Sequence, residues 1–186
     1  MPIPTLRTQR LVLRPFEVGD ASIVQTLAGV AEVALTTLNI PHPYKDGMAE
    51  AWIATHRPSW EEGKLLTLAI TSDSEGLVGA VGIHINAVHR RGELGYWVGL
   101  PFWNRGYATE AAGALLEFGF GDLDLNRIQA RHITRNPSSG RVMEKLGMKP
   151  EGVQRQHVVA HGVLEDVAMH AILKSEFDID RAEGAF

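Results

Sequence analysis

The sequence contains no cysteine, which excludes disulfide bonds, thiolate metal ligands and cysteine nucleophiles. It also has no apolar run near the roughly 20 residues needed to cross a bilayer. The N-terminus, MPIPTLRTQR, lacks the apolar segment of a signal peptide. The net charge of −4 gives no basic excess of the kind that a general nucleic-acid surface needs. We therefore expect a cytoplasmic protein that binds neither membranes nor nucleic acids in general.

Length and composition indicate one globular domain. The chain has 186 residues, of which 45% are hydrophobic and 22% are charged, and both fractions are near globular averages. No internal repeat, low-complexity tract or linker divides the sequence. A single domain over residues 1–186 is the expectation.

The eight histidines do not indicate a metal site. His157 and His161 share one face of a predicted strand and turn, where their spacing separates them by about 13 Å. That distance is too long for one ion. His84 belongs to an apolar strand, where a histidine is more often a core or cleft group than a ligand. We expect no metal.

Periodicity and turn residues predict the order of the secondary structure. Strands are expected over 9–16, 92–100 and 126–134, with hairpins over 65–88 and 153–173 that turn at 73–76 and 160–162. Helices are expected over 21–29, 47–61, 106–120 and 136–147, with an extended proline-containing loop at 39–44. Asp20 and Asn136 are the predicted N-caps, and Gly147 lies just past the last helix. This order predicts an α/β domain on a mixed sheet.

The segment WNRGYATEAA (103–112) begins the third of these helices directly after a strand. Unpaired N–H groups at a helix N-terminus favour an anion, and phosphate above all. Gly106 removes a side chain where the backbone would approach that anion. A tight turn whose glycine only relieves backbone strain explains the same residues. The chain has no P-loop motif, and its first strand is not followed by the glycine-rich turn of a dinucleotide-binding domain.

Three segments read together carry a resemblance to a known family: ELGYWVG (93–99), WNRGYATEAA (103–112) and NPSSGRVMEKLG (136–147). In this order and spacing they resemble the GNAT superfamily of acetyl-CoA-dependent N-acyltransferases. They are most similar to the branch that includes the ribosomal-protein alanine N-acetyltransferases. The resemblance implies a single-domain GNAT-like fold, with a mixed, mostly antiparallel sheet flanked by helices. Trp103 stands where the family's phosphate loop usually has Gln or Arg, and Asn104 stands where this branch more often has Gly.

The resemblance also implies a binding site for acetyl-CoA as co-substrate. The loop would hold the pyrophosphate, and the strand before it would splay from the parallel strand 126–134 and pair its main chain with the pantetheine arm. Asn136 would serve the pantetheine or substrate end, and Arg141 the adenosine phosphates. The implied cofactor-binding residues are Tyr96, Trp97, Val98, Gly99, Asn104, Arg105, Gly106, Tyr107, Ala108, Thr109, Asn136 and Arg141.

Two residues are candidates for the chemistry of acetyl transfer. Glu93, at the start of the splayed strand, could take the proton of the attacking amine. It could equally be paired with Arg91 or solvated. The resemblance places the Ser139 hydroxyl near the coenzyme sulfur, where it could protonate the departing thiolate, although a serine in a first helical turn is also common for structural reasons.

The predicted function is transfer of acetyl to a primary amine by direct attack in a ternary complex, without a covalent acyl-enzyme. The acceptor could be a protein N-terminus, an amino acid, a polyamine or an antibiotic, and the family builds its acceptor pocket near 39–44. Glu165 and Asp166 could bind a cationic substrate, although an exposed face is the more common reading. The alternatives are an acyl-CoA-binding or sensing module without turnover and a structural subunit. Homodimers are common in this branch, so a homodimer is a further expectation.

Overall fold

The computed structural model describes residues 2–177, which form one eight-stranded sheet with helices on both faces. The strands are β1 (Leu6–Arg7), β2 (Leu11–Arg14), β3 (Leu65–Ser72), β4 (Gly76–Asn86), β5 (Arg91–Val98), β6 (Arg127–Ile133), β7 (Lys149–Ala160) and β8 (Val163–Leu173). The helices are α1 (Ala21–Ala28), α2 (Ala31–Ala34), α3 (Met48–Ala54), α4 (His56–Glu61), α5 (Tyr107–Gly121) and α6 (Pro137–Lys145). Among these, no helix is long and apolar enough to span a bilayer.

The strand order is β1-β2-β3-β4-β5-β6-β8-β7. Strands β5 and β6 pair in parallel, and the other neighbouring pairs of the described sheet are antiparallel. Both predicted hairpins form, β3–β4 and β7–β8, and the second turns through two residues with positive φ, His161 (52°) and Gly162 (79°). The predicted α/β class with a mixed, mostly antiparallel sheet is confirmed.

Successive side chains of a strand point to opposite faces of the sheet, and the core is therefore divided into two clusters, one on each face. The larger cluster contains Leu94 and Val98 of β5 together with the buried face of α5. The smaller one contains Ala69 of β3, with Trp97 of β5 packed against it and against α1 and α3. Consecutive residues of β5 therefore point to opposite faces of the sheet, and each face is covered by its own helices.

The helix predicted over 47–61 is two helices, α3 and α4, which meet at Thr55. Pro58 explains the break, because a proline has no N–H to donate to the carbonyl of residue 54 and its ring crowds that carbonyl. Thr55 also closes the end of α3 with its hydroxyl, which donates to the Trp52 carbonyl at 2.7 Å. The apolar periodicity of this segment continues across Pro58, although the proline ends the hydrogen-bonded helix.

Asp20 stands at the predicted N-cap position of α1 but does not cap the helix with its side chain. Its carboxylate makes no capping hydrogen bond to that helix. Instead, Arg14 binds both carboxylate oxygens at 2.8 Å, and the Glu17 N–H donates to Oδ2 at 2.8 Å. A bidentate arginine is a stronger partner for a carboxylate than a single peptide N–H, so the side chain turns towards β2.

A buried carboxylate ties the N-terminal segment to α5. Glu110 is 1% exposed and accepts hydrogen bonds from the Thr8 hydroxyl (2.6 Å), the Arg10 N–H (2.9 Å) and Arg10 Nε (2.7 Å). Arg10 also donates from Nη1 to the carbonyl of Arg105 at 3.1 Å. The turn between β1 and β2 therefore fixes both the first turn of α5 and the loop that precedes it.

Arg10→Ala is expected to lower the free energy of unfolding by about 3 kcal/mol, because it leaves the buried Glu110 carboxylate without its cationic partner. Urea unfolding followed by circular dichroism measures this change. Arg7→Ala is the matched control, since Arg7 is an exposed arginine of the same segment, and a change within about 0.5 kcal/mol is expected. Equal losses in the two variants would contradict a special role for Arg10.

Candidate functional site

A cavity of about 1060 Å³ passes through the sheet between β5 and β6. Its wall includes Gly95 and Trp97 from one face of β5 and Leu94, Tyr96 and Val98 from the other. The cavity opens here because β5 and β6 pair over only part of their length. Their ladder ends at Leu94 and Ala130, although β5 continues to Val98 and β6 to Ile133. The predicted splay of these strands is present.

The open edge of β5 offers main-chain groups to the cavity. Gly99 donates its N–H to Val78 of β4 at 2.9 Å. Because the main-chain groups of successive strand residues alternate in direction, those of Val98 and Tyr96 point away from β4 and into the gap. The Trp103 indole N–H already donates to the Val98 carbonyl at 2.6 Å, which confirms this direction.

The predicted phosphate loop reaches the same cavity. Asn104 and Gly106 both have positive φ, 61° and 82°, and Gly106 is the N-cap residue of α5. The first intrahelical bond is donated by Glu110 to the Gly106 carbonyl. The N–H groups of Tyr107, Ala108 and Thr109 therefore precede the bonded part of the helix and are free of it.

These residues fit a diphosphate. A Cβ built on Gly106 would meet only one atom within 4 Å, Nη2 of Arg10, at 3.2 Å. Free N–H groups, a helix N-terminus and a nearby guanidinium all favour an anion. Arg10 was not predicted as part of the site, because nothing in a first strand indicates that it will lie beside a loop about 95 residues later.

Tyr96 and Ser139 meet on one side of the gap. The Tyr96 hydroxyl lies 2.9 Å from the carbonyl oxygen of Ser139 and 2.9 Å from its Oγ. Burial raises the pKa of Tyr96 to about 12, although the hydrogen bond with Ser139 acts in the opposite direction. The Tyr96 hydroxyl therefore keeps its proton at neutral pH and donates it to the Ser139 carbonyl.

Glu93 projects from the opposite face of β5 into the same cavity. Its predicted alternative partner was Arg91, but its actual partners come from β6. Arg131 Nε lies 2.9 Å from Oε1, and the Gln129 side-chain amide donates to Oε2 at 3.0 Å. Residues 129 and 131 share a face of β6 because they are two apart. The sequence did not reveal this contact, since it depends on the register between two strands joined by a long helix.

Asn136 joins α6 to the cavity wall. Its side-chain oxygen accepts from the Ser139 N–H at 3.4 Å, so the predicted N-cap is confirmed. The side-chain N–H₂ donates to the Thr36 carbonyl at 3.1 Å. This second bond holds the loop after α2, which also lines the cavity.

Most of the predicted cofactor-binding residues line the cavity, with two exceptions. Gly99 packs against α1, where a Cβ would lie 2.9 Å from a methyl group of Leu27. The guanidinium of Arg105 is paired with Glu75 at 2.9 Å. Arg141 lines the cavity and donates to the Ser138 hydroxyl at 2.7 Å. Within residues 2–177, no group of three or more His, Asp or Glu side chains is arranged to hold a metal ion.

Comparisons with known proteins give a consistent result. A family model described as "Acetyltransferase (GNAT) domain" matches residues 10–149. "Uncharacterized N-acetyltransferase p20" of Bacillus licheniformis is 33% identical over 176 residues, 93% of this chain and 98% of that protein. "Putative ribosomal N-acetyltransferase YdaF" of Bacillus subtilis is 31% identical over 103 residues, 55% of this chain and 56% of that protein. A solved acetyltransferase (GNAT family) from Bacillus anthracis has a TM-score of 0.82 at 26% identity, covering 93% of this chain and 100% of that one.

Titration of tyrosine absorbance tests the environment of Tyr96. The difference between the wild type and Tyr96→Phe is expected to be a step centred near pH 12, above the value of about 10 for an exposed tyrosine. Because the folded pKa lies above the unfolded one, the stability contributed by Tyr96 is complete below about pH 10 and is lost as the pH rises through the folded value. A step centred near pH 10 instead of near pH 12 would contradict the burial of Tyr96 against Ser139.

Proposed function

This chain belongs to the GNAT acetyltransferase family, and on that premise we propose that it moves acetyl from acetyl-CoA directly to a primary amine. The family predicted from the three motifs is confirmed, and the protein is an acetyl-CoA-dependent acyltransferase. Our proposal adds the acceptor group, the absence of a covalent acyl-enzyme, and the roles of Glu93 and Ser139.

One observation carries this proposal. Glu93 and Ser139 line a single cavity, and they approach it from opposite faces of the sheet at the point where the β5–β6 ladder ends. A thioester held in this gap would have a carboxylate on one side and a hydroxyl on the other. Acetyl transfer needs that arrangement, because the amine loses a proton on one side of the carbonyl and the thiolate gains one on the other.

In the proposed reaction, the amine nitrogen attacks the thioester carbonyl. A C–N bond forms, the C–S bond breaks, and the sulfur leaves with the electron pair. Glu93 takes the proton of the amine, directly or through water. Arg131 and Gln129 orient the Glu93 carboxylate, and each of its oxygens has a second lone pair that can accept the proton.

On the other side of the gap, Ser139 donates its hydroxyl proton to the thiolate. Tyr96 then supplies the serine with a proton across the 2.9 Å contact between the two hydroxyls, and solvent restores the tyrosine. Asn136 fixes the start of α6 and so the position of Ser139. The phosphate loop and the open edge of β5 supply the N–H and carbonyl groups that would orient the coenzyme.

A second candidate is a coenzyme-binding module without turnover. The contacts of Glu93 with Arg131 and Gln129 favour this function, because a carboxylate held by two residues of β6 also has a purely structural explanation as a link between β5 and β6. The two candidates share the coenzyme site and differ in whether the wild type releases coenzyme thiol when an amine is present.

The coenzyme site is tested by Gly106→Glu, whose carboxylate would repel the diphosphate. Acetyl-CoA is expected to raise the melting temperature of the wild type, as a ligand of the folded state does, and to have no effect on this variant. Gly47→Glu is the matched control, because Gly47 is also a helix N-cap residue, with a φ of 81° against 82° for Gly106. Both variants carry the same backbone strain, so only a loss confined to Gly106→Glu supports the loop.

Turnover is tested by Glu93→Gln and Ser139→Ala, with release of free coenzyme thiol measured over a panel of amines. Loss of a general base is expected to lower kcat by about 10²-fold or more, with KM for acetyl-CoA little changed. Ser139→Ala is expected to lower kcat by at least about tenfold, since water can replace the hydroxyl in part.

The controls for turnover are Glu61→Gln and Ser22→Ala, which alter exposed residues outside the cavity. Full activity in Glu93→Gln would remove Glu93 from the mechanism. Coenzyme binding without thiol release for any amine in the wild type would establish the second candidate.

A further inference from the structure

The cavity wall contains more positively charged than negatively charged side chains. Glu93 is the one carboxylate among the described residues that line it. The cations of the wall are Arg131, Arg135, Arg141 and Lys145. The wall therefore offers no unpaired carboxylate to an acceptor that carries extra positive charge, whereas its cations can attract a negative group.

The single carboxylate of the wall is already neutralised. Its two oxygens face Arg131 at 2.9 Å and the Gln129 amide at 3.0 Å. The carboxylates of the final strand offer no substitute. Glu165 pairs with Arg135 at 2.6 Å, Asp166 accepts the Gln156 N–H at 2.7 Å, and neither lines the cavity. The sequence-based suggestion that these two residues bind a cationic substrate finds no support in their contacts.

Arg131 has unused hydrogen-bonding capacity. Its Nε faces Glu93, and within residues 2–177 its Nη1 and Nη2 form no hydrogen bond. The side chain is 33% exposed and lines the cavity. The two Nη groups of a guanidinium form a planar fork that matches the two oxygens of a carboxylate. A carboxylate can therefore be held at Arg131 without disturbing its contact with Glu93.

The other three cations of the wall have different surroundings. Arg135 is matched by Glu165, so its charge is compensated. Arg141 and Lys145 project from α6, on the side of the sheet where Ser139 lies, and Arg141 donates to the neighbouring Ser138. Arg131 alone combines a position beside Glu93 with a free pair of donors. It is therefore the cation that an acceptor on the Glu93 face would meet.

We propose that the acceptor is a small amine that carries its own carboxylate, as an α-amino acid does, and that Arg131 binds this carboxylate. This assignment rests on the proposed role of Glu93 as the base. Because Arg131 and Glu93 are in direct contact, the amine and the carboxylate of the acceptor must be separated by only a few bonds. The wall on this side also contains Tyr44, Met48 and Trp52 beside the polar Thr67 and His84, so it can accept an apolar side chain such as that of phenylalanine.

The test compares phenylalanine with phenylalaninamide, which has the same amine and ring but no carboxylate. With saturating acetyl-CoA, kcat/KM for phenylalanine is expected to exceed that for the amide by roughly 10- to 100-fold, the range of a hydrogen bond to a charged group. The amine of the amide is the less basic and so the more deprotonated, which biases the comparison against the expected result. Spermidine is expected to react more slowly than either compound.

Arg131→Gln should reduce the ratio of the two rates to near one. The ratio is the useful readout, because any effect that Arg131 exerts through Glu93 changes both rates alike and cancels. Arg91→Gln is the matched control. Arg91 is an exposed arginine on the same face of β5 as Glu93, and it lies outside the cavity. Its ratio should equal that of the wild type. A wild-type preference for the amide or for spermidine, or an unchanged ratio in Arg131→Gln, overturns the proposal.

Failure of catalysis and failure of the acceptor assignment are separated by a binding measurement. Should no amine release thiol, the function proposed above fails, and the carboxylate site is judged by calorimetry with CoA present. N-acetylphenylalanine is then expected to bind at least about tenfold more tightly than N-acetylphenylalaninamide to the wild type, and equally weakly to Arg131→Gln. Equal affinity of the two compounds for the wild type overturns the assignment.

Discussion

The parallel ladder between β5 and β6 ends at Leu94 and Ala130, and the candidate site exists because of this interruption. A continuous sheet would have used the main-chain groups of Tyr96 in pairing and would have closed the cavity. Where the strands separate, side chains from both faces of β5 reach one space. A carboxylate and a hydroxyl from opposite sides of the sheet, Glu93 and Ser139, therefore line one cavity, as the proposed reaction requires.

The loop before α5 is fixed in place by buried contacts with the N-terminal segment. Glu110 would be costly to bury alone, and its partners Thr8 and Arg10 come from the turn between the first two strands. Arg10 also binds the carbonyl of Arg105 and stands beside Gly106. One ion pair therefore connects the N-terminal edge of the sheet with the backbone of the predicted phosphate loop. Rigid support of this kind is what a site built from main-chain N–H groups requires.

The proposed selectivity of the site depends on the charged residues of the other face, where β5 and β6 separate. Glu93, Gln129 and Arg131 lie side by side because strand residues two apart share a face and because β5 and β6 are in register there. Arg131 thereby acts on both parts of the proposed reaction. It orients the proposed base through Nε, and its remaining donors are open to the acceptor.

Local signals in the sequence were sufficient for most of the secondary structure. The capping residue and proline at the start of α6, the positive-φ turn of the β7–β8 hairpin and the glycine before α5 each act within a few residues. Such signals depend on backbone geometry and are readable from the sequence alone. Local signals did not predict the division between α3 and α4, where apolar periodicity continues across Pro58. They also did not predict that the Asp20 carboxylate binds Arg14 and leaves α1 without a side-chain cap.

The three motifs determined the family, the phosphate loop and the candidates Glu93 and Ser139, because these residues stand at characteristic positions along the chain. Tertiary structure alone decided that Arg10 supports the loop, that Tyr96 contacts Ser139 and that Arg131 stands beside Glu93. Each of these contacts joins residues about 40 to 100 positions apart. Their formation depends on strand register and on how helices pack on the two faces, and neither is encoded in the short-range pattern of any one segment.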